Sequence, residues 1–129
     1  EIIEFASEFD PQPYHLDPIA AKASIFGGLC ASGWQISALA QRMITDCFRH
    51  RKISILGLSG VKQLQWKKAV FAGDALSIET KLIDKDPQSY LLEAGVIEIE
   101  CIVRYQKQDT VIFLMKSLLI ARKEAENDQ

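Results

Sequence analysis

Apolar and polar positions along this chain change their spacing once, near residue 54, which divides it into a helical first part and a stranded second part. Ile2, Ile3, Phe5, Ala6 and Phe9 recur at helical intervals among Glu1, Glu4, Ser7 and Glu8, predicting a short amphipathic helix with its acids in water. Residues 18–24 are alanine-rich and follow Asp17-Pro18, an N-cap with proline at the first helical position, so a second short helix is expected there. Gly27-Gly28 would allow the positive φ that ends it. The longest helical pattern covers residues 32–49, about 27 Å at 1.5 Å per residue. Ser32-Gly33-Trp34-Gln35 reads as a capping box, and Arg49, His50, Arg51 and Lys52 gather where the dipole favours cations. Between these ends, apolar residues from Trp34 to Phe48 cover most of the circumference and leave a polar strip at Gln41, Arg42, Thr45 and Asp46. Such a helix needs cover on several sides.

Beyond Ser54 the period is two. Leu64 and Trp66 alternate with Gln63, Gln65 and Lys67, and Leu76, Ile78, Thr80 and Leu82 alternate with polar neighbours over residues 76–83. Ile97, Ile99, Cys101, Val103 and Tyr105 form the apolar side of a third strand, with Glu98 and Glu100 on a solvent face. Residues 110–122 are apolar on both faces apart from Lys116 and Ser117, as a central strand would be. Short polar connections at 72–74, 84–89 and 106–109 favour antiparallel neighbours over crossovers, and the charged tail at 123–129 is expected to be disordered. The pattern predicts an α+β domain in which an antiparallel sheet wraps one long helix. Four strands are few for that task, so a missing N-terminal strand or a second subunit is expected to complete the cover.

At 129 residues the chain is one domain, 1–129, able to bury a core without staples. Fifteen basic against 17 acidic residues argue against broad electrostatic binding to nucleic acid, while leaving room for a local basic patch to meet an anionic ligand. Cys30, Cys47 and Cys101 are odd in number and widely spaced, which reads as reduced thiols of a cytoplasmic protein rather than a disulfide framework or zinc site. No apolar run approaches the roughly 18–20 residues of a membrane span, and no signal peptide is visible. Because the chain starts at Glu1 in a helical pattern, removal of a preceding targeting segment stays open.

The candidate chemistry lies between the first two helices. Pro11 and Pro13 fix their own φ and push Asp10 and Gln12 toward extended geometry, giving a stiff irregular segment with His15 just outside the next helix. A carboxylate and an imidazole held there can exchange protons, although Asp beside Pro and His before a cap are also ordinary turn chemistry. The backbone N–H of Gly33, in the first turn of the long helix, is an unpaired donor at the positive end of a dipole, and glycine would let a ligand come close. Capping alone also accounts for Ser32 and Gly33. Trp34, Trp66 and Met43 read as core, Gln35 as the capping partner of Ser32, and the Arg49–Lys52 cluster as a solvated helix end.

With these pieces in place the sequence resembles the MaoC-like hydratases, the (R)-specific enoyl-CoA hydratase family of the hot-dog fold. Asp10, Pro13 and His15 match the family's D-x-N-P-x-H motif, with Gln12 where asparagine is usual. Phe26-Gly27-Gly28-Leu29-Cys30-Ala31-Ser32-Gly33 is similar to the approach to its central helix, and Trp66-Lys67-Lys68-Ala69-Val70-Phe71-Ala72-Gly73-Asp74 to its strand and P-V-x-x-G-D turn. The resemblance implies a hot-dog fold lacking its first strand. It implies hydration of enoyl thioesters, or dehydration of 3-hydroxyacyl thioesters, by Asp10 and His15. Gly33 N–H would then hold the thioester carbonyl, with Gln12 and Ser32 in positioning roles. No metal or redox cofactor is implied, coenzyme A entering only as part of the substrate. The implied partners are an acyl-CoA or acyl-carrier-protein thioester and a second copy in a homodimer, with no nucleic acid or membrane. A non-catalytic thioester-binding module and a hot-dog thioesterase are the alternatives, since fold alone does not decide function.

Overall fold

The computed structural model describes residues 1–86 and 94–121. The elements run α1 (Ile2–Phe9), α2 (Pro13–Leu16), α3 (Pro18–Lys22), α4 (Gly33–His50), β1 (Ile55–Trp66), β2 (Leu76–Asp86), β3 (Ala94–Tyr105) and β4 (Thr110–Ala121). The tail at 123–129 and part of the connection at 84–89 lie outside the described residues.

The strands form one antiparallel sheet in the order β1-β4-β3-β2. The two-faced apolar strand is central, as its pattern requires. On β3 and β4 the pairs Ile97–Leu118, Ile99–Lys116, Cys101–Leu114 and Val103–Ile112 stand opposite one another, and all eight side chains are buried. Against this face α4 lays Ile36, Ala40, Ile44 and Phe48, spaced by four along one stripe. That stripe, with the two inner strands, is the core. The wider cover expected for α4 is not present within one chain: α1 touches it on another side, but Trp34 and Leu39 stand 59% and 45% exposed.

Two expectations are corrected. The link between β1 and β2 does not join neighbours, because those strands occupy opposite edges of the sheet. Residues 67–75 instead pass the approach to α4, where Ala31 N–H donates to the Val70 carbonyl at 2.8 Å and Cys30 bridges Phe71. The helix over residues 18–24 stops at Lys22 with Ala23 as C-cap, and the positive φ of Gly27 serves the loop after it. Edge strand β1 slips register at three places and leaves Leu56, Leu58 and Val61 exposed. No helix among the described residues is long and apolar enough to cross a membrane.

Candidate active site

Asp10 is the C-cap of α1, its N–H bonded to the Ala6 carbonyl at 2.9 Å, and Ala6 is fully buried. After it the prolines act as expected at Gln12, which is extended (φ −91°, ψ 145°). His15, however, is not outside a helix: Pro13 opens the single turn α2. Proline suits that first position because its missing N–H would have had no helical partner there. The Gln12 backbone ties the turn together, its N–H donating to the Asp10 carbonyl at 2.7 Å and its carbonyl accepting from His15 N–H at 2.9 Å. The Gln12 side chain is exposed and hydrogen-bonded to nothing among the described residues, so any positioning by Gln12 comes from its main chain. Asp17 caps α3 through Ile19 N–H at 2.9 Å, as its sequence context predicts.

His15 is buried, and its Nδ1 lies 2.7 Å from the Cys30 carbonyl. A carbonyl can only accept, so Nδ1 carries the proton and the neutral ring presents the lone pair of Nε2. That nitrogen faces Asp10 Oδ2 at 3.5 Å. The same carboxylate oxygen accepts from Ser32 Oγ–H at 2.8 Å, which helps to orient it. Ser32 is fully buried and also caps α4, accepting from Trp34 N–H at 3.3 Å. The capping box does not close: Gln35 turns its Nε2 to the Glu1 carbonyl at 3.5 Å, and its buried Oε1 has no partner among the described residues. Gly33 begins α4, and its N–H has no partner among the described residues.

Asp10, His15 and Gly33 line one cavity of about 400 Å³. Its walls are mostly apolar, from Tyr14, Phe26, Ile36, Val70 and Val111, and the indoles of Trp34 and Trp66 meet edge to face at 4.9 Å. The two tryptophans, expected in the core, are instead 59% and 44% exposed along this cavity. Alternation could assign them a face but not say whether another layer covers it. Cys30, not singled out for chemistry from sequence, contributes both its carbonyl to His15 and a buried thiol to the lining. Burial pushes that thiol up, which keeps it protonated at neutral pH and a poor nucleophile. Lys67 and Lys68 also line the cavity, and Lys68 is held by Tyr105 and Asp109, each at 2.9 Å, which raise its affinity for the proton. His50 and the basic end of α4 are exposed and line no part of this cavity. Among the described residues no group of three or more His, Cys, Asp or Glu side chains could hold a metal ion.

Chemically, the site offers two acceptors, Asp10 Oδ2 and His15 Nε2, converging on one point, and a donor at a helix tip on the same cavity. A water molecule there could give one O–H to each acceptor and turn a lone pair toward the cavity.

Residues 1–100 match the model of the MaoC like domain family. The uncharacterized protein YdeM of Bacillus subtilis (strain 168) is 30% identical over 122 residues, covering 95% of this chain and 84% of YdeM. Among solved structures, a monoamine oxidase regulatory protein from Archaeoglobus fulgius superposes with a TM-score of 0.83 at 26% identity, over 95% of this chain and 80% of its own. The MaoC-like dehydratase from Rhodospirillum rubrum does so with a TM-score of 0.77 at 29% identity, over 95% and 82%.

Proposed function

The chain belongs to the MaoC-like domain family of hot-dog proteins, and on that premise we propose that it hydrates trans-2-enoyl thioesters or dehydrates 3-hydroxyacyl thioesters. The observation that carries this reading is the facing pair Asp10 Oδ2 and His15 Nε2, 3.5 Å apart on the cavity that Gly33 also lines. In the hydration direction a water held between them bonds through oxygen to Cβ of the double bond. Asp10 accepts one of its O–H groups and His15 Nε2 takes the other proton, which it delivers to Cα. The negative charge that builds on the thioester oxygen meanwhile is met by Gly33 N–H and the positive end of α4. Dehydration is the same path reversed. Ser32 holds the carboxylate in line. The reaction needs no metal and no redox cofactor.

The acyl group is carried on coenzyme A or on a carrier protein. The working unit is a homodimer or higher homo-oligomer in the cytoplasm, where the three unpaired cysteines would stay reduced.

The test is hydration of crotonyl-CoA and longer enoyl-CoAs, followed by loss of the double bond with free thiol measured in parallel. Asp10→Asn and His15→Ala should each lower turnover by roughly 10²–10⁴, the usual worth of a positioned acid or base, with near-UV circular dichroism unchanged. Near wild-type turnover in both variants would remove these residues from the chemistry. Thiol release instead of hydration would point to a thioesterase, and saturable binding without turnover to a non-catalytic thioester-binding module.

A further inference from the structure

A glycine at the first position of a helix is the residue least able to hold its own peptide still, since it has the most backbone freedom to lose. Yet Gly33 is the proposed donor to the thioester oxygen, a task that demands a fixed direction. The peptide that carries this N–H joins Ser32 to Gly33, and its carbonyl accepts from Ile36 N–H at 3.2 Å. The peptide joining Gly33 to Trp34 is held at both ends and so fixes the far side of the same residue. The N–H of this second peptide is taken by Ser32 Oγ at 3.3 Å, while its carbonyl accepts from Trp66 Nε1–H at 2.9 Å and from Ser37 Oγ at 2.9 Å. Trp66 Nε1 also reaches Ser37 Oγ at 3.1 Å. Trp66, the last residue of β1, therefore fastens the sheet to the first turn of α4.

The same indole explains why residue 33 is glycine. A Cβ built there would stand 2.7 Å from Trp66 Cε2 and Nε1 and 2.9 Å from Cδ1, well inside contact distance. The ring is tied in place by the bonds of its Nε1 to the Gly33 carbonyl and Ser37 Oγ, so yielding to a Cβ would break them. The side-chain space of residue 33 is thus filled by a tryptophan from the sheet.

We propose that Trp66 is a positioning residue for the reaction, aiming the Gly33 amide at the thioester oxygen, and that its indole imposes glycine at position 33. The catalytic half of this inference rests on the hydratase reading, whereas the anchoring half does not. Trp66→Phe keeps a ring against Gly33 but removes the N–H. It should lower kcat on crotonyl-CoA about tenfold, with KM changed by less than about threefold, since a donor set for the developing oxyanion acts mainly on the transition state. The order parameter of the Gly33 amide should fall from about 0.85, typical of rigid backbone, to nearer 0.6.

Gly33→Ala alone should lower Tm. In a Trp66→Val background, whose own Tm is the reference, Gly33→Ala should cost much less Tm than it does in wild type, while kcat stays low in the double variant, a split that packing alone would not produce. Wild-type kcat with an unchanged Gly33 amide in Trp66→Phe would overturn the positioning role. A Gly33→Ala loss of Tm that is equally large with and without Trp66→Val would overturn the claim about glycine. If the wild-type protein hydrates no thioester, the catalytic role falls with the hydratase reading, and the amide order parameter together with the Tm cycle still decides whether Trp66 anchors Gly33.

Discussion

Gln12 lies two residues from Asp10 and Ser32 lies 22 away, yet of the two only Ser32 touches the carboxylate with its side chain. The Ser32 hydroxyl donates a hydrogen bond to Asp10 and accepts one from Trp34 N–H, so one oxygen links the carboxylate to the helix tip. Ser32→Ala should cost about 1 kcal/mol of stability through the lost cap. It should also lower kcat roughly tenfold, a charge-assisted hydrogen bond being worth about 1.5 kcal/mol. Gln12→Asn, which restores the residue usual in the family motif, should change kcat by less than about twofold, because the exposed side chain makes no contact for a shorter amide to improve. Thermal melts with enoyl-CoA kinetics on both variants check the contrast. The order Asp10, Pro13, His15 was readable as a motif. The Cys30 carbonyl that sets the His15 tautomer was not, because main-chain acceptors carry no residue signature and the two residues meet only in the folded chain.

Within the pairing of α4 with the sheet, the exception to an apolar interior among the described residues is Lys116. It is buried on the inner face of β4 with its Nζ on Gln41 Oε1, and Gln41 Nε2 in turn reaches Thr45 Oγ1 at 3.3 Å. Burial pushes the Lys116 ammonium down, while burial pushes the nearby Cys101 thiol up to about 11. Their effects on stability oppose each other. For Lys116 the unfolded chain binds more protons between the lowered folded value and about 10.4, so this group makes stability rise with pH through that window. For Cys101 the unfolded thiol ionises from about 8.5 while the folded one keeps its proton, so that group makes stability fall from there up to its folded value. Urea midpoints between about pH 7 and 10.5 should therefore fall more steeply in Lys116→Met than in wild type, and rise in Cys101→Ala. Variants that track wild type across this range would remove both groups from the pH dependence. The polar strip through Gln41 and Thr45 was legible in the helix pattern as a face. That a lysine from the sheet turns inward to meet it was not, because strand periodicity places Lys116 on the core side without naming its partner. The strands themselves were plain from alternation, and β4 from being apolar on both faces, whereas the order of strands was not, since pattern assigns faces and leaves neighbours open.

At the scale of the molecule, one sheet covers one stripe of α4 and leaves Leu56, Leu58 and Val61 of β1 in solvent, each more than half exposed. Three large apolar side chains bare on one edge strand fit a second copy of the chain as cover. Sedimentation at low micromolar concentration should show a dimer, and Leu58→Glu with Val61→Lys should shift it to monomer while keeping its helix and strand signal. A wild-type monomer at that concentration would count against this arrangement. The position of β4 has a separate consequence. The strand that holds β1 to the β2–β3 pair follows the other three described strands in the chain. While the chain is still leaving the ribosome, its two sheet fragments have nothing between them, and the apolar side of β3 waits without a neighbour. Stop codons placed before residue 110 should therefore yield aggregates rather than a smaller soluble domain. A chaperone that binds exposed strands would find its target in that interval.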